Sequence, residues 1–198
     1  MQTNASNIIN RQEYQMYFLA VVCPQETDKI VLSYKHWMRD RFGCTAALKS
    51  PAHITLVAPF WLSETDEPQL LDALEKFNSR QQAFPVTLSN FSHFGNKVLF
   101  VHVEANEQLA LLQGEVESYF RHQFPHAIKS DNRPFHPHVT IATRDMSPAA
   151  FRDAWLRFSR ETYNSTFRVS SLTLLKLSPG KWNILAGKNI SDVSTSIN

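Results

Sequence analysis

Two copies of one short pattern, His-aliphatic-Thr-aliphatic, lie 85 residues apart in this chain of 198 residues. The first copy is residues 53–56 (HITL) and the second is residues 138–141 (HVTI). Because side chains alternate between the two faces of a strand, His and Thr share one face and the aliphatic residues share the other. Each copy therefore predicts a strand whose apolar side anchors it in a core while an imidazole and a hydroxyl face outward.

Two such strands facing each other would bring His53, Thr55, His138 and Thr140 around one small anion. Two imidazoles can accept and donate protons near neutral pH, and two hydroxyls can donate hydrogen bonds to phosphoryl oxygens. The pattern therefore predicts a phosphodiester site. The alternative is that both copies are ordinary strand residues, with Thr present for its β propensity.

The order of elements around the two motifs repeats. Hydrophobic periodicity predicts a first half in the order strand 15–22, helix 25–42, a His53 strand closed by Pro59, helix 67–79 and strand 84–91. It predicts a second half in the order strand 97–104, helix 106–123, the His138 strand, a helix capped by Ser147 and running to residue 160, strand 166–177 and, after Gly180, strand 182–186.

This repeat predicts an α+β fold with two lobes related by a pseudo-twofold axis, each lobe a β-α-β-α-β arrangement, with antiparallel-rich sheets around a central cleft. We expect one bilobed domain over residues 14–190, with the pattern repeated over about 14–92 and 97–177. Each half alone would bury too little surface to be an independent domain. The polar ends, residues 1–13 and 191–198, are expected to be loose.

The composition of the chain argues against some classes of binding partner and location. A net charge of +2 lacks the strongly basic balance of a general DNA binder. No apolar run approaches the roughly 20 residues of a membrane helix, and the first 15 residues have no signal-peptide pattern, so a cytoplasmic location is expected. Cys23 and Cys44 have neither metal nor redox spacing and are expected to be free thiols.

The residues around the motifs resemble the 2H phosphoesterase superfamily. AHITLVAPF (52–60) and FHPHVTIATRD (135–145) are similar to its bacterial 2'-5' RNA ligase and cyclic phosphodiesterase branch, and the likeness extends from about Tyr17 to Ala186. The resemblance implies a bilobed fold, no metal or other cofactor, and hydrolysis of 2',3'-cyclic or 2'-5' phosphodiester bonds. It also implies catalytic roles for His53 and His138, with Thr55 and Thr140 holding phosphate oxygens.

Other residues near the motifs are candidates for substrate binding. His136 shares the face of His138 if that strand is regular, and Arg144 lies just beyond the second motif, where its guanidinium suits a phosphate. Phe60 and the following Trp61 offer a ring on which a base could stack. Lys129 and Arg133 are candidates for a basic rim. For each, an ordinary structural or surface role is the alternative.

The favoured hypothesis is a metal-independent phosphodiesterase acting on a small cyclic nucleotide or an RNA end, with reverse ligation as a further capability. The main alternative is a binding module that grips the same ligands without turnover. A metallohydrolase using His53, His136 and His138 is a third, weaker hypothesis, because no His, Asp and Glu spacing matches a known metal site. No oligomeric state is predicted.

Overall fold

The computed structural model describes residues 13–129 and 133–190. Its strands are β1 (Tyr14–Val22), β2 (His53–Ser63), β3 (Phe84–Phe94), β4 (Val98–Val103), β5 (His138–Thr143), β6 (Asn164–Val169), β7 (Ser171–Ser178) and β8 (Lys181–Asn189). Its α-helices are α1 (Gln25–Phe42), α2 (Glu67–Lys76), α3 (Glu107–Gln123) and α4 (Pro148–Phe158). The ends expected to be loose lie outside the described residues, apart from residue 13.

Local capping chemistry explains where the helices begin and end. The Asn106 side chain accepts a hydrogen bond from the backbone N–H of Leu109 at the start of α3. The hydroxyl of Ser147 accepts one from Ala150 at the start of α4, as the sequence predicted. Helix α1 has the predicted bounds and ends at Gly43, whose φ of 73° is a left-handed conformation that favours glycine.

The strands form two antiparallel four-stranded sheets. The first sheet has the order β2-β1-β7-β8 and the second has the order β5-β4-β3-β6. In both, the motif strand is at an edge beside the first strand of its own half. The inner faces of both sheets and the helices share one buried cluster, which includes Leu19, Leu174, Leu88 and Val101. This arrangement confirms the α+β, two-lobed prediction.

Strands of each half cross into the other sheet. β3 follows α2 in the first half but pairs with β4 and β6, while β7 pairs with β1 and β8 of the first sheet. The helices also contact across the halves, α1 with β5 and α3 with β2. The repeat is therefore present in element order, but each sheet combines both halves of the chain. No helix in the described ranges is long and apolar enough to cross a membrane.

The single strand predicted over 166–177 is wrong. The chain forms β6 and β7, which belong to different sheets, with a break at Ser170. β6 alternates, with Phe167 and Val169 buried, whereas Leu172, Thr173, Leu174 and Leu175 of β7 are all buried. The sequence changes in the same place, from alternating residues up to Val169 to a mainly apolar run from Leu172, and this change is the signal that could have located the break.

Two further predicted ends differ from the structure. β2 continues past Pro59 to Ser63, because it is an edge strand and the β1–β2 register shifts on both sides of Val57, placing Pro59 in a bulge where no backbone N–H is needed. Helix α2 ends at Lys76, three residues early, because the backbone of Phe77 is extended. The Phe77 ring is buried in the core.

The apolar side chains of the motif strand β2 contribute to the free energy of unfolding. Ile54 is fully buried, so Ile54→Ala should lower the free energy of unfolding by about 2–5 kcal/mol through lost burial and an unfilled cavity. Urea unfolding monitored by circular dichroism measures this. Ile184→Ala removes the same atoms from a side chain that is 58% exposed in β8, and should cost less than about 0.5 kcal/mol. Equal losses in both variants would contradict the assigned face of β2.

Candidate active site

The two motifs meet because their strands are the contacting edges of the two sheets. β2 and β5 lie in contact. Their aliphatic residues Ile54, Leu56, Val139 and Ile141 are at most 3% exposed. The histidine and threonine of each motif therefore face away from the core, as alternation predicts.

All four motif side chains line one cavity of about 210 Å³ between the sheets. Arg144 and Trp182 lie at the same cavity, together with Phe18, Ala46, Ala47, Ser50, Pro59, Val98 and Thr143. The structure therefore brings together His53, Thr55, His138 and Thr140, which the sequence analysis placed around one anion. Trp182 was missed by the sequence analysis, because it reaches the cavity only through the pairing of β7 with β8.

Both histidines are oriented by the same hydrogen bond. Nδ1 of His53 lies 2.8 Å from the carbonyl oxygen of Pro51, and Nδ1 of His138 lies 2.8 Å from that of His136. A carbonyl can only accept, so each imidazole carries a proton on Nδ1 and donates it. The nitrogen that remains available to a ligand is Nε2 in both rings.

Aromatic rings lie beside both imidazoles. The ring of His53 lies 4.8 Å from Phe18, and the ring of His138 lies 5.0 Å from Phe94 and 5.1 Å from Phe100. Burial lowers the pKa of His53 to about 4 and also lowers the pKa of His138. Both rings are therefore neutral at pH 7 in the free protein.

A strained turn brings Arg144 to the cavity. Arg144 has a φ of 56°, and the backbone N–H of Asp145 donates to the carbonyl of Thr143 at 2.6 Å, which closes a three-residue γ-turn. Non-glycine residues rarely adopt such a φ. The Asp145 carboxylate accepts hydrogen bonds from the backbone N–H groups of Thr45 and Ala46 at 2.6 and 2.8 Å. Asp145, which the sequence analysis did not single out, thus ties the end of β5 to a cavity-lining segment of the first half.

A second, larger cavity of about 690 Å³ adjoins the first and shares Thr55, Pro59 and His138 with it. His136 lines this larger cavity. Regular alternation had predicted that it lies on the same strand as His138, but β5 begins at His138, so His136 precedes the strand. Other lining side chains include Phe94, Glu117, Lys129, Arg133 and Phe135. The predicted basic rim therefore borders the larger cavity.

The prediction that Phe60 offers an exposed ring is wrong. Phe60 borders the larger cavity but is only 4% exposed, and its ring packs 6.1 Å from that of Tyr17. The two register shifts in β2 add up to two residues, which is one full period of side-chain alternation, so Phe60 pairs with Tyr17 and faces the core as Ile54 does. Trp61 is 55% exposed and lines neither of the two cavities.

The chemistry of the cavity is that of proton transfer and anion binding. Its polar side-chain groups are imidazole nitrogens, threonine and serine hydroxyls, the Trp182 indole and one guanidinium. In the described ranges, no three His, Cys, Asp or Glu residues are grouped to hold a metal ion, and the cysteines Cys23 and Cys44 are free and buried.

Comparison with known proteins identifies the family. The model of the 2'-5' RNA ligase superfamily matches residues 27–181, and the chain therefore belongs to that superfamily. A protein of Geobacillus sp. (strain WCH70) named "Putative phosphoesterase" is 26% identical over 161 residues, which are 79% of this chain and 87% of that protein. A Geobacillus kaustophilus (strain HTA426) protein of the same description is 25% identical over 171 residues, 85% of this chain and 92% of that protein.

Solved structures share the fold. E. coli LigT in complex with 3'-AMP superposes with a TM-score of 0.65 at 21% identity, covering 90% of this chain and 99% of that one. TT0787 of Thermus thermophilus gives a TM-score of 0.60 at 19% identity, covering 88% and 97%. The family and its relatives support a phosphoesterase-type activity in general and confirm the resemblance to 2H phosphoesterases.

The low pKa of His53 makes the stability of the fold depend on pH. The pKa is about 4 in the folded chain and about 6.5 in the unfolded one, so between these values only the unfolded chain binds the proton, and stability falls as the pH falls. The wild type should lose free energy of unfolding between pH 7 and pH 5, and His53→Gln should make that loss smaller by about 1–2 kcal/mol. Urea unfolding at both pH values measures it.

The control for this experiment is His122→Gln, which changes an exposed histidine of α3 and should keep the wild-type pH dependence. An unchanged pH dependence in His53→Gln would show that His53 is not held neutral by burial.

Proposed function

We propose that this protein is a metal-independent phosphodiesterase that hydrolyses 2',3'-cyclic or 2'-5' phosphodiester bonds of nucleotides or RNA ends by two-histidine acid–base catalysis. The observation that carries the proposal is the pair of imidazoles at one cavity, each with Nδ1 bound to a carbonyl and Nε2 left for the substrate. The reverse reaction, ligation of RNA ends, would use the same groups in exchanged roles.

The proposed reaction is an in-line displacement at phosphorus. One neutral imidazole takes a proton from water as the water oxygen forms its bond to phosphorus. The other imidazole, protonated at Nε2, gives that proton to the ribose oxygen as the P–O bond breaks. Hydrolysis of a cyclic phosphodiester then leaves a phosphomonoester and a free hydroxyl, and each histidine ends in the protonation state from which the other began.

The substrate itself supplies the proton balance that this mechanism requires. Both imidazoles are neutral in the free protein because burial lowers both pKa values. An anionic phosphodiester in the cavity favours the charged form of a nearby imidazole and so raises its pKa. One histidine thus becomes the acid when substrate binds, while the other remains a base.

The other groups at the cavity have roles that suit this reaction. The hydroxyls of Thr55 and Thr140 are proposed to donate hydrogen bonds to the non-bridging oxygens, where charge increases in the transition state. Arg144 is proposed to neutralise part of that charge.

The larger cavity favours a nucleotide substrate over a bare phosphate ester. It joins the first cavity at Thr55 and His138, so a ligand with its phosphate between the motifs can extend directly into it. Its aromatic side chains Phe94 and Phe135 suit a base, and Lys129 suits a further phosphate. The nucleotide complexes of E. coli LigT, with 3'-AMP, ATP and NADP+, support the same class of ligand.

Turnover of 2',3'-cyclic nucleoside monophosphates in the presence of EDTA tests the histidine pair. We expect hydrolysis by the wild type and a loss of at least about 100-fold in both His53→Ala and His138→Ala, because each removes a proton-transfer group. The product, a 2'- or a 3'-monophosphate, is identified by chromatography. His122→Ala, which alters an exposed histidine on α3, is the matched control and should retain wild-type turnover.

Three results would contradict the proposal. Wild-type activity that EDTA abolishes and one divalent ion restores would overturn the metal-independent mechanism. Wild-type turnover in either histidine variant would remove that residue from the chemistry. Nucleotide binding without any turnover, on cyclic nucleotides and 2'-5' dinucleotides alike, would favour the binding module instead.

The threonine roles are tested by a hydroxyl-specific pair of substitutions. Thr55→Val and Thr140→Val keep the side-chain shape but remove the donor, and each should lower kcat by about 10- to 1000-fold. Thr55→Ser and Thr140→Ser keep the hydroxyl and should stay within about fivefold of wild type on the same argument. Equal activity of the Val and Ser variants would show that the hydroxyls do not stabilise the transition state.

A further inference from the structure

A buried lysine lies behind the candidate site. Lys35 of α1 is only 2% exposed, and its Nζ donates a hydrogen bond to the carbonyl oxygen of Ser50 at 2.9 Å. Burial lowers its pKa to about 8, so it is largely protonated at pH 7. A buried ammonium is unfavourable unless a charge or a set of hydrogen bonds compensates it. Its presence in the core therefore needs a reason.

Asp28 is on the same helix two turns earlier and binds the same segment. Its carboxylate accepts a hydrogen bond from the backbone N–H of Ala52 at 2.6 Å. Helix α1 thus holds both ends of residues 50–52, through one cation and one anion. The carbonyl between these two contacts belongs to Pro51, and it is the one that accepts the Nδ1 proton of His53.

We propose, on the basis of the phosphodiesterase function above, that Lys35 and Asp28 are positioning residues for His53: they hold the segment whose Pro51 carbonyl sets its tautomer, and they place two opposite charges behind that segment. Neither residue lines the two cavities, so neither is proposed to touch substrate.

The charges acting on His53 come from two elements. From α1, Lys35 lowers the pKa of His53 and Asp28 raises it; from β5, His138 lowers it. At the end of β1, burial raises the pKa of the Cys23 thiol to about 12, so this neighbour of Asp28 and Lys35 stays uncharged. The Pro51 carbonyl also raises the pKa of His53 through its hydrogen bond.

The second motif is built differently. His138 has the same bond from Nδ1 to a carbonyl, but the neighbour whose charge acts on it is His136, and no buried lysine is behind it in the described residues. The two motifs therefore match in geometry and differ in their fixed charges. Of the two motif histidines, only His53 has the charges of Lys35 and Asp28 acting on it.

Two substitutions should move the pKa of His53 in opposite directions. Lys35→Met keeps much of the shape and removes the positive charge, so the pKa should rise by about one unit. Asp28→Asn keeps an oxygen that can accept from Ala52 and removes the negative charge, so His53 should remain unprotonated to a lower pH than in the wild type. Nuclear magnetic resonance titration of the His53 ring measures both without any substrate.

Activity provides the second readout. The acid limb of the pH–rate profile for cyclic nucleotide hydrolysis should move in the same direction as the titration in each variant. Loss of the Lys35 contact to Ser50 should also lower kcat about 10- to 100-fold, because the imidazole loses its fixed orientation. Lys29→Met, on the exposed side of the same helix and with the same change in charge, should alter neither readout.

Opposite shifts in Lys35→Met and Asp28→Asn would support the proposal, and shifts that are absent or in the same direction would overturn it. If Lys35→Met does not fold by circular dichroism, Asp28→Asn alone decides, since it preserves the hydrogen bond while changing the charge. Opposite shifts in a protein that hydrolyses none of the nucleotides would refute the phosphodiesterase function and leave the positioning role in place.

Discussion

Burial of four aliphatic side chains is the constraint on which the site depends. Ile54 and Leu56 in β2, and Val139 and Ile141 in β5, are removed from water, and strand geometry then leaves the motif histidines and threonines no direction except outward. Because β2 and β5 are edge strands that touch, these outward faces meet across a narrow gap. The apolar core therefore defines where the polar chemistry occurs.

The polar groups at this gap are held by backbone atoms more than by one another. Carbonyl oxygens orient both imidazoles, and backbone N–H groups bind the Asp145 carboxylate at the γ-turn of Arg144. The backbone partner in each of these contacts has no side-chain rotamer freedom to lose. A cavity organised in this way is ready for an anion before the anion arrives, which is the condition for electrostatic stabilisation of a transition state.

Side-chain alternation in strands and helix capping made several features of the fold and the candidate site predictable from the sequence. The pairing of His with Thr on one face, the bounds of α1 and the cap at Ser147 follow from interactions between residues close together in the chain. The exchange of β3 and β7 between the sheets does not, because an apolar strand satisfies either sheet equally well. The roles of Lys35 and Asp28 were not predicted for a related reason. Their partners are backbone atoms of residues 50–52, and the sequence of a helix does not indicate such contacts.

The exchanged strands also impose an order on folding. The second sheet uses only β3 to β6, a continuous stretch within residues 84–169, whereas the first sheet joins β1 and β2 to β7 and β8 from the end of the described chain. Contacts between residues so far apart form slowly, since a long loop must close first. On the ribosome, where the chain emerges from its N-terminus, β1 must wait for its neighbour β7 until residues 171–178 have been synthesised. The His53 edge is thus assembled with the last sheet to close, and a chain cut short before β7 would carry its histidine motifs without a site.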